Sequence, residues 1–388
     1  MSAIACASAV PAGSVLPLQA AFTARSYRPG EVALLRIVSS PSRQLTLDVL
    51  QVGARVGPGD RRVEGATAEP ARVLNGPAGS WTLHLPIGAW PSGVYVARLT
   101  AADGAVTYAP FVLRPSVLGH ETRVLVVEPT NTWQAYNFYA GDSWYENGAV
   151  HAIDLTRPYA NNGLPTHKGL GVGFLRWYAA GGRQADFVSD DDLDSFTNAA
   201  QLRRLYNLVV FPGHEEYVTA HMYDLMTGFR DRGGSLAFLS ADNFFYRVTR
   251  SGDMLYGRTR WRDLGRPEAA LVGAEYVGWN EYRFPNRPYR VASVGAAPWL
   301  FAGSGLRYGS SFGHYGIEID QRSAASPPGT RVLAVIRDDF GPGMNAEMTY
   351  YRRGHAQVFD AGVINFGSSA DWPHVSTLVD NLWDHLDR

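Results

Sequence analysis

The chain has 388 residues, 35 basic against 36 acidic side chains, a formal net charge of −1 and 46% apolar residues. That length supports two or three ordinary domains with a sizeable core, and the balanced charge argues against a nucleic-acid or anionic-membrane partner. The single cysteine, Cys6, excludes an internal disulfide and a cysteine-rich metal site.

Residues 1–17 read as a loose leader of small side chains. No Lys or Arg precedes Arg25, so the charged start of a secretory signal is missing. No stretch approaches the ~18 apolar residues of a spanning helix. A cytoplasmic protein without a membrane partner is expected. Over 18–115, short strands alternate with turns. Val32-Ala33-Leu34-Leu35-Arg36-Ile37-Val38, Leu45-Thr46-Leu47-Asp48-Val49-Leu50, Trp81-Thr82-Leu83-His84-Leu85 and Val94-Tyr95-Val96-Ala97-Arg98-Leu99 are the strands, and Asp103-Gly104 signals a hairpin. This spacing without helical period predicts an immunoglobulin-like β-sandwich.

The pattern then changes. Arg123-Val124-Leu125-Val126-Val127 and Leu208-Val209-Val210-Phe211 are continuous apolar runs, the mark of strands covered on both faces. Gly171 to Ala180 reads as a short helix. His221 to Arg232 carries Met222, Leu225, Met226 and Phe229 at helical spacing and stops at Gly233-Gly234 before a strand, Leu236-Ala237-Phe238-Leu239. Strand, helix, strand predicts a βαβ unit and a parallel sheet within an α/β domain over 116–388. Residues 251–328, rich in Gly, Arg and Trp, read as an insertion or long loops. Late strands are expected near Val332–Ile336, Thr349–Arg352 and Gln357–Val363, and a final helix over Thr377–Leu386.

Ligands of open parallel sheets gather at the carboxyl ends of the strands. Three such ends are rich in chemistry. Asn131-Thr132-Trp133-Gln134-Ala135-Tyr136-Asn137-Phe138-Tyr139 reads either as aromatic packing or as a pocket wall with a phenol turned inward. Gly213-His214-Glu215-Glu216-Tyr217 admits two readings equally: acids capping a helix, or His and Glu converging on a ligand. Asp242-Asn243 reads as a turn or N-cap, and Glu347 as solvated surface.

Together these segments resemble the large subunit of N,N-dimethylformamidase. The resemblance rests on Asn131-Thr132-Trp133-Gln134-Ala135-Tyr136-Asn137, Gly213-His214-Glu215-Glu216-Tyr217, Gly233-Gly234-Ser235-Leu236-Ala237-Phe238-Leu239, Ala346-Glu347-Met348-Thr349-Tyr350-Tyr351 and Gly362-Val363-Ile364-Asn365-Phe366-Gly367, in that order. It runs from about Phe22 onward and covers the family's sandwich and its glutamine-amidotransferase-like (flavodoxin-like) domain; a further N-terminal domain of the family enzyme lies outside it. It implies a mononuclear Fe(III) site with two tyrosinates and a glutamate. The glutamate carries over onto Glu216 and one tyrosine onto Tyr136. The other matches Tyr95 of Ser92-Gly93-Val94-Tyr95, with Tyr108 as its competitor. His214 stands beside the metal, Asn243 matches the second-shell amide and Glu347 the late acid.

Phenolate and carboxylate are hard oxygen donors that suit a hard trivalent cation. Three protein ligands leave positions open for water and substrate, where a metal polarises a carbonyl and acidifies water. The glutamine-amidotransferase fold places a cysteine nucleophile at an elbow that here reads Ser240-Ala241-Asp242-Asn243, so thiol chemistry is not expected. The reading is therefore an iron-dependent hydrolase of a small amide. Tyr95, Tyr136 and Glu216 hold the metal, His214, Asn243 and Glu347 act on protons or substrate, and Trp133, Phe138 and Trp144 narrow the pocket. A homo-oligomer is expected, and the resemblance admits a small partner subunit. The alternative is a non-catalytic module that binds a ligand or partner on the same fold.

Overall fold

The structure, a computed structural model, describes residues 17–53, 65–145, 150–165 and 171–388. The expected leader, Cys6 included, lies outside them except for Pro17.

Eight strands come first: β1 (Leu18–Phe22), β2 (Ser26–Tyr27), β3 (Val32–Ser39), β4 (Arg43–Val52), β5 (Gly65–Gly76), β6 (Gly79–Pro86), β7 (Gly93–Ala101) and β8 (Val106–Leu113). They form a sheet of order β1-β3-β6 and a second of order β2-β8-β7-β4-β5. Leu35, Ile37 and Leu85 of the first sheet share one core with Leu47, Val49, Ala97, Leu99 and Phe111 of the second. This is the expected sandwich. Strand alternation sends every second residue to the other face, and there Leu50, Val52, Val94, Val96 and Val112 join the main core of the rest of the chain. A continuous apolar cluster thus packs the sandwich onto the C-terminal sheet and its helices.

The remaining strands and helices are given in chain order. They begin with β9 (Val124–Glu128), α1 (Thr130–Ala135), β10 (Ala152–Asp154), α2 (Val172–Ala180), β11 (Asp186–Ser189), α3 (Asp190–Asp194), α4 (Ala199–Leu205) and β12 (Leu208–Phe211). Then come β13 (Tyr217–Thr219), α5 (Ala220–Asp231), β14 (Ser235–Phe238), β15 (Tyr246–Ser251), β16 (Met254–Arg260), α6 (Ala269–Val272), β17 (Glu275–Trp279) and β18 (Arg287–Val291). The last are α7 (Pro298–Phe301), β19 (Ser311–Tyr315), β20 (Glu318–Gln321), β21 (Arg331–Ile336), β22 (Ala346–Arg353), β23 (Ala356–Asp360) and α8 (Val375–Leu386).

The central sheet has nine strands in the order β11-β9-β12-β14-β23-β22-β21-β18-β19. The first five run parallel to their neighbours. From β23 onward the pairing is antiparallel, so the sheet is mixed and the expected parallel pattern holds for one half only. The apolar runs explain the parallel half. Val124 and Val126, Leu208 and Val210, and Ala237 point into one core, while Leu125 and Val127, Val209 and Phe211, and Leu236 and Phe238 point into another. A strand buried on both faces needs no polar alternation.

Helix α5 covers one face with Met222, Leu225, Met226 and Phe229, and α8 covers the other with Leu378, Val379, Leu382 and Trp383. The stretch 251–328 is more ordered than its sequence suggests. It supplies β18 and β19 to the sheet edge, and β17 and β20 form a separate antiparallel pair.

Gly163 shows how tightly the sandwich is locked in place. Its φ is +85°, and a Cβ there would lie 1.8 Å from the Tyr108 carbonyl oxygen of β8. Tyr108 N also donates to Asn162 O at 2.9 Å. Gly163→Ala is expected to cost more than about 2 kcal/mol of stability. An unchanged urea midpoint would refute that close approach.

Candidate metal centre

The carboxyl ends of β9, β11, β12 and β14 converge, and the loop after β12 holds the densest chemistry. Pro212 to Glu216 leave the strand, Tyr217 opens β13, and Thr219 caps α5 by accepting from Met222 N at 3.1 Å. The capping reading of Glu215 and Glu216 therefore fails, because Thr219 does that work. The loop is tied to α1 instead: Thr132 Oγ1 accepts from Glu216 N at 3.1 Å and Tyr217 N at 3.3 Å. The carboxylate of Glu216, 1% exposed, is thereby fixed.

Three phenols hydrogen-bond that carboxylate: Tyr136, Tyr145 and Tyr217. Tyr145 Oη donates to Glu216 Oε1 at 2.9 Å and is also hydrogen-bonded to Tyr217 Oη. The ring of Tyr136 stacks on that of Tyr145 at 4.2 Å and 15°. On the other side stands His214, whose Nε2 lies 3.4 Å from Glu216 Oε2, 3.5 Å from Asp242 Oδ2 and 3.5 Å from Glu318 Oε2. Ligand atoms of His214, Glu216 and Asp242 all lie within 4.8 Å of one another.

Asp242 sits on a strained elbow that surrounding hydrogen bonds hold in place. It adopts φ +55° and Phe244 φ +59°, a region costing about 1–3 kcal/mol for such residues. The elbow is clamped by Asp242 N donating to Asp320 Oδ1 at 2.8 Å, Phe244 N to Glu215 O at 2.6 Å and Tyr246 N to Glu216 O at 3.0 Å. Asn243, between the two strained residues, is 1% exposed, and both polar atoms of its amide lack a hydrogen-bond partner.

Burial dominates the electrostatics. It raises Glu216 against the opposing pull of His214 and the phenols, and pushes Glu318 up to about 8 and Asp320 to about 7. Burial, then the charge of Glu216, holds Asp242 far above the carboxylate range. Burial, then Glu216 and Glu318, raises the Tyr136 phenol in the same way. One imidazole faces three carboxylates, so either protons or a cation must neutralise the rest. Glu216 Oε2, Asp242 Oδ1, Glu318 Oε2 and His214 Nε2 are buried without hydrogen-bond partners. Hard oxygen donors with one imidazole, in a buried acidic space, fit a small multivalent cation.

The site residues expected from sequence divide accordingly. Tyr136, His214, Glu216 and Asn243 come from segments that meet at this point. Trp144 lies against Tyr217 at 5.2 Å between ring centroids and forms a wall. Tyr95 is not brought here. Its hydroxyl donates to Pro91 O at 2.7 Å, and its ring stacks on Trp90 and Phe111 inside the sandwich core. The cause is strand alternation: Val94 and Val96 face the main core, so Tyr95 must face away. Tyr108, its competitor, belongs to the cluster that joins sandwich and sheet.

Glu347 Oε2 accepts from Arg322 N at 3.1 Å and Arg322 Nε at 3.0 Å, an ion pair. Trp133 sits in the main core, and Phe138 is half-buried at the start of the turn Tyr139–Gly141. The residues that sequence reading missed are Tyr145, Tyr217, Asp242, Glu318 and Asp320.

A family model described as N,N-dimethylformamidase beta subunit-like, C-terminal, matches residues 61–378. The chain belongs to that family. No curated protein matches it. Among solved structures, trypsin-activated alpha-2-macroglobulin from Escherichia coli aligns at 18% identity and TM-score 0.20, over 25% of this chain and 7% of that one. The N-terminal domain of mmIFT52 aligns at 12% identity and TM-score 0.35, over 55% and 88%. Superoxide reductase from Ignicoccus hospitalis aligns at 11% identity and TM-score 0.17, over 25% and 80%. Among the described residues of this dimethylformamidase-like chain, no helix is long and apolar enough to cross a membrane.

Behind the centre lies a second set of buried acids, Glu128, Asp190 and Glu215. Burial, then Asp190, moves Glu128 from 4.5 to about 8. A carboxyl raised on folding binds more protons when folded, so its contribution to stability is lost as pH rises between those values. The metal-free protein should therefore lose up to about 1.4 kcal/mol per pH unit from this group. Glu128→Gln should raise the melting temperature at pH 8 and flatten its decline from pH 5. Parallel melting profiles for the two proteins would contradict this burial.

Proposed function

We propose that this chain is an iron-dependent hydrolase of small amides. The observation that carries the reading is the convergence of three phenols and His214 on the buried carboxylate of Glu216. Tyr136, Tyr145 and Glu216 would hold the ion. Tyr145 takes the place first expected for Tyr95, because its oxygen reaches Glu216 and that of Tyr95 does not. Tyr217 supports it from behind through its hydrogen bond to Tyr145. A ferric ion in this donor set supplies Lewis acidity toward an amide carbonyl and a bound water.

The chain's own residues supply the rest. His214 Nε2, within 3.5 Å of three carboxylates, is placed to hold a proton and give it to the departing amine. The Asn243 amide, buried and unpartnered, would orient the substrate carbonyl or the attacking water. Trp144 and Tyr217, both buried, wall the inner side of the centre. On this reading the glutamine-amidotransferase-like frame contributes strand ends rather than a thiol.

The test is iron-loaded protein against chelator-stripped protein with N,N-dimethylformamide as probe. The reading expects about one iron per chain, a visible tyrosinate band, and amine release that stripping abolishes and iron restores. Amide hydrolysis that persists unchanged after full removal of iron would contradict it.

A further inference from the structure

Arg258, on β16, stands at the solvent side of the tyrosine cluster. Its guanidinium carbon lies 5.3 Å from the centroid of Tyr145 and 5.5 Å from that of Tyr246. One nitrogen donates to Trp144 O at 3.2 Å, and Tyr217 is a second hydrogen-bond partner. These contacts fix the head against two rings yet occupy only part of its five-donor fork.

Neighbouring arginines differ. Arg250 pairs with Asp191, Arg260 with Asp263 and Arg262 with Glu268. Arg258 is exposed and has no carboxylate within ion-pair distance among the described residues. A stacked, oriented guanidinium with free donors is built to take a planar anion side-on. Tyr145, over whose ring it lies, and Tyr217, its hydrogen-bond partner, both hydrogen-bond Glu216, so the guanidinium borders the proposed centre.

We infer that Arg258 selects substrates carrying a carboxylate, so that the amides hydrolysed are N-acyl or N-formyl amino acids rather than neutral amides. This rests on the hydrolase reading and names its substrate class. In the reaction, the amide C–N bond breaks, water oxygen bonds to the acyl carbon, and a proton passes to the amine nitrogen, giving a carboxylic acid and an amino acid.

The probes are N-formylglycine and its neutral counterpart N-formylglycinamide. Their binding to chelator-stripped protein is measured by calorimetry, where no metal competes for the carboxylate, and their KM values are measured with iron-loaded protein. Wild type is expected to bind the acid about tenfold more tightly than the amide, the lower end of a charge-assisted hydrogen bond. Arg258→Gln should bring that ratio close to one, Arg258→Lys should retain part of it, and Arg260→Gln should leave it unchanged.

Matching melting temperatures exclude misfolding as the cause. A ratio near one in wild type, or one that survives Arg258→Gln, overturns the assignment whatever the protein hydrolyses. A preference intact in stripped protein supports it even if the loaded protein hydrolyses neither probe, a result that sinks the hydrolase reading alone.

Discussion

Glu216→Gln is expected to lower iron affinity by 100-fold or more, beyond the range of about 10- to 100-fold seen when only a supporting residue is changed. The substitution keeps the shape and removes the charge on which Tyr136, Tyr145, Tyr217 and His214 converge. The fold should survive, because the loop is anchored through backbone groups: Glu216 N and Tyr217 N on Thr132, and Tyr246 N on Glu216 O. The metal-free variant should even melt higher than metal-free wild type near neutral pH, since a buried carboxylate raised by desolvation has been replaced by a neutral amide. Iron content by elemental analysis and thermal melts of the stripped proteins check both halves. Full occupancy in the variant would remove Glu216 from the ligand set.

Tyr145→Phe is expected to abolish or strongly weaken the visible band and reduce iron content, while Tyr95→Phe leaves both as in wild type. Each substitution deletes one oxygen and keeps the ring. At Tyr145 that oxygen reaches Glu216 Oε1 at 2.9 Å, so an anionic donor to the ion is lost. At Tyr95 it serves Pro91 O, so only about 1 kcal/mol of stability is lost. The pair discriminates between a centre built within the strand-end loops and one shared with the sandwich. A Tyr95→Phe protein without colour, beside a normally coloured Tyr145→Phe protein, would reverse the assignment.

Some of this was legible in the residues and some was not, for physical reasons. Apolar runs announced β9, β12 and β14 because both faces of each are buried. The loops after such strands could then be searched, which brought Tyr136, His214, Glu216 and Asn243 forward. Tyr95 misled because a strand residue's direction depends on its phase: its neighbours Val94 and Val96 face the main core and it does not.

Glu318 and Asp320 left no local trace. They lie about a hundred residues after Glu216, in a Gly- and Arg-rich stretch, and reach the site because β20 pairs with β17 and is hydrogen-bonded to Gly362 and Ile364 after β23. Asp242 looked like an ordinary turn acid; its left-handed backbone and its bond to Asp320 are tertiary facts. Glu347 matched a motif, yet Arg322, a long-range neighbour, occupies it.

The central claim is that one metal ion sits where the oxygens of Tyr136, Tyr145 and Glu216 meet, beside His214. Crystals of the iron-loaded protein, measured on both sides of the iron absorption edge, test it most directly. The account predicts a single anomalous peak bonded to those three side chains. A peak at full occupancy elsewhere in the molecule, with the Glu216 carboxylate contacting only its phenols and His214, would contradict it.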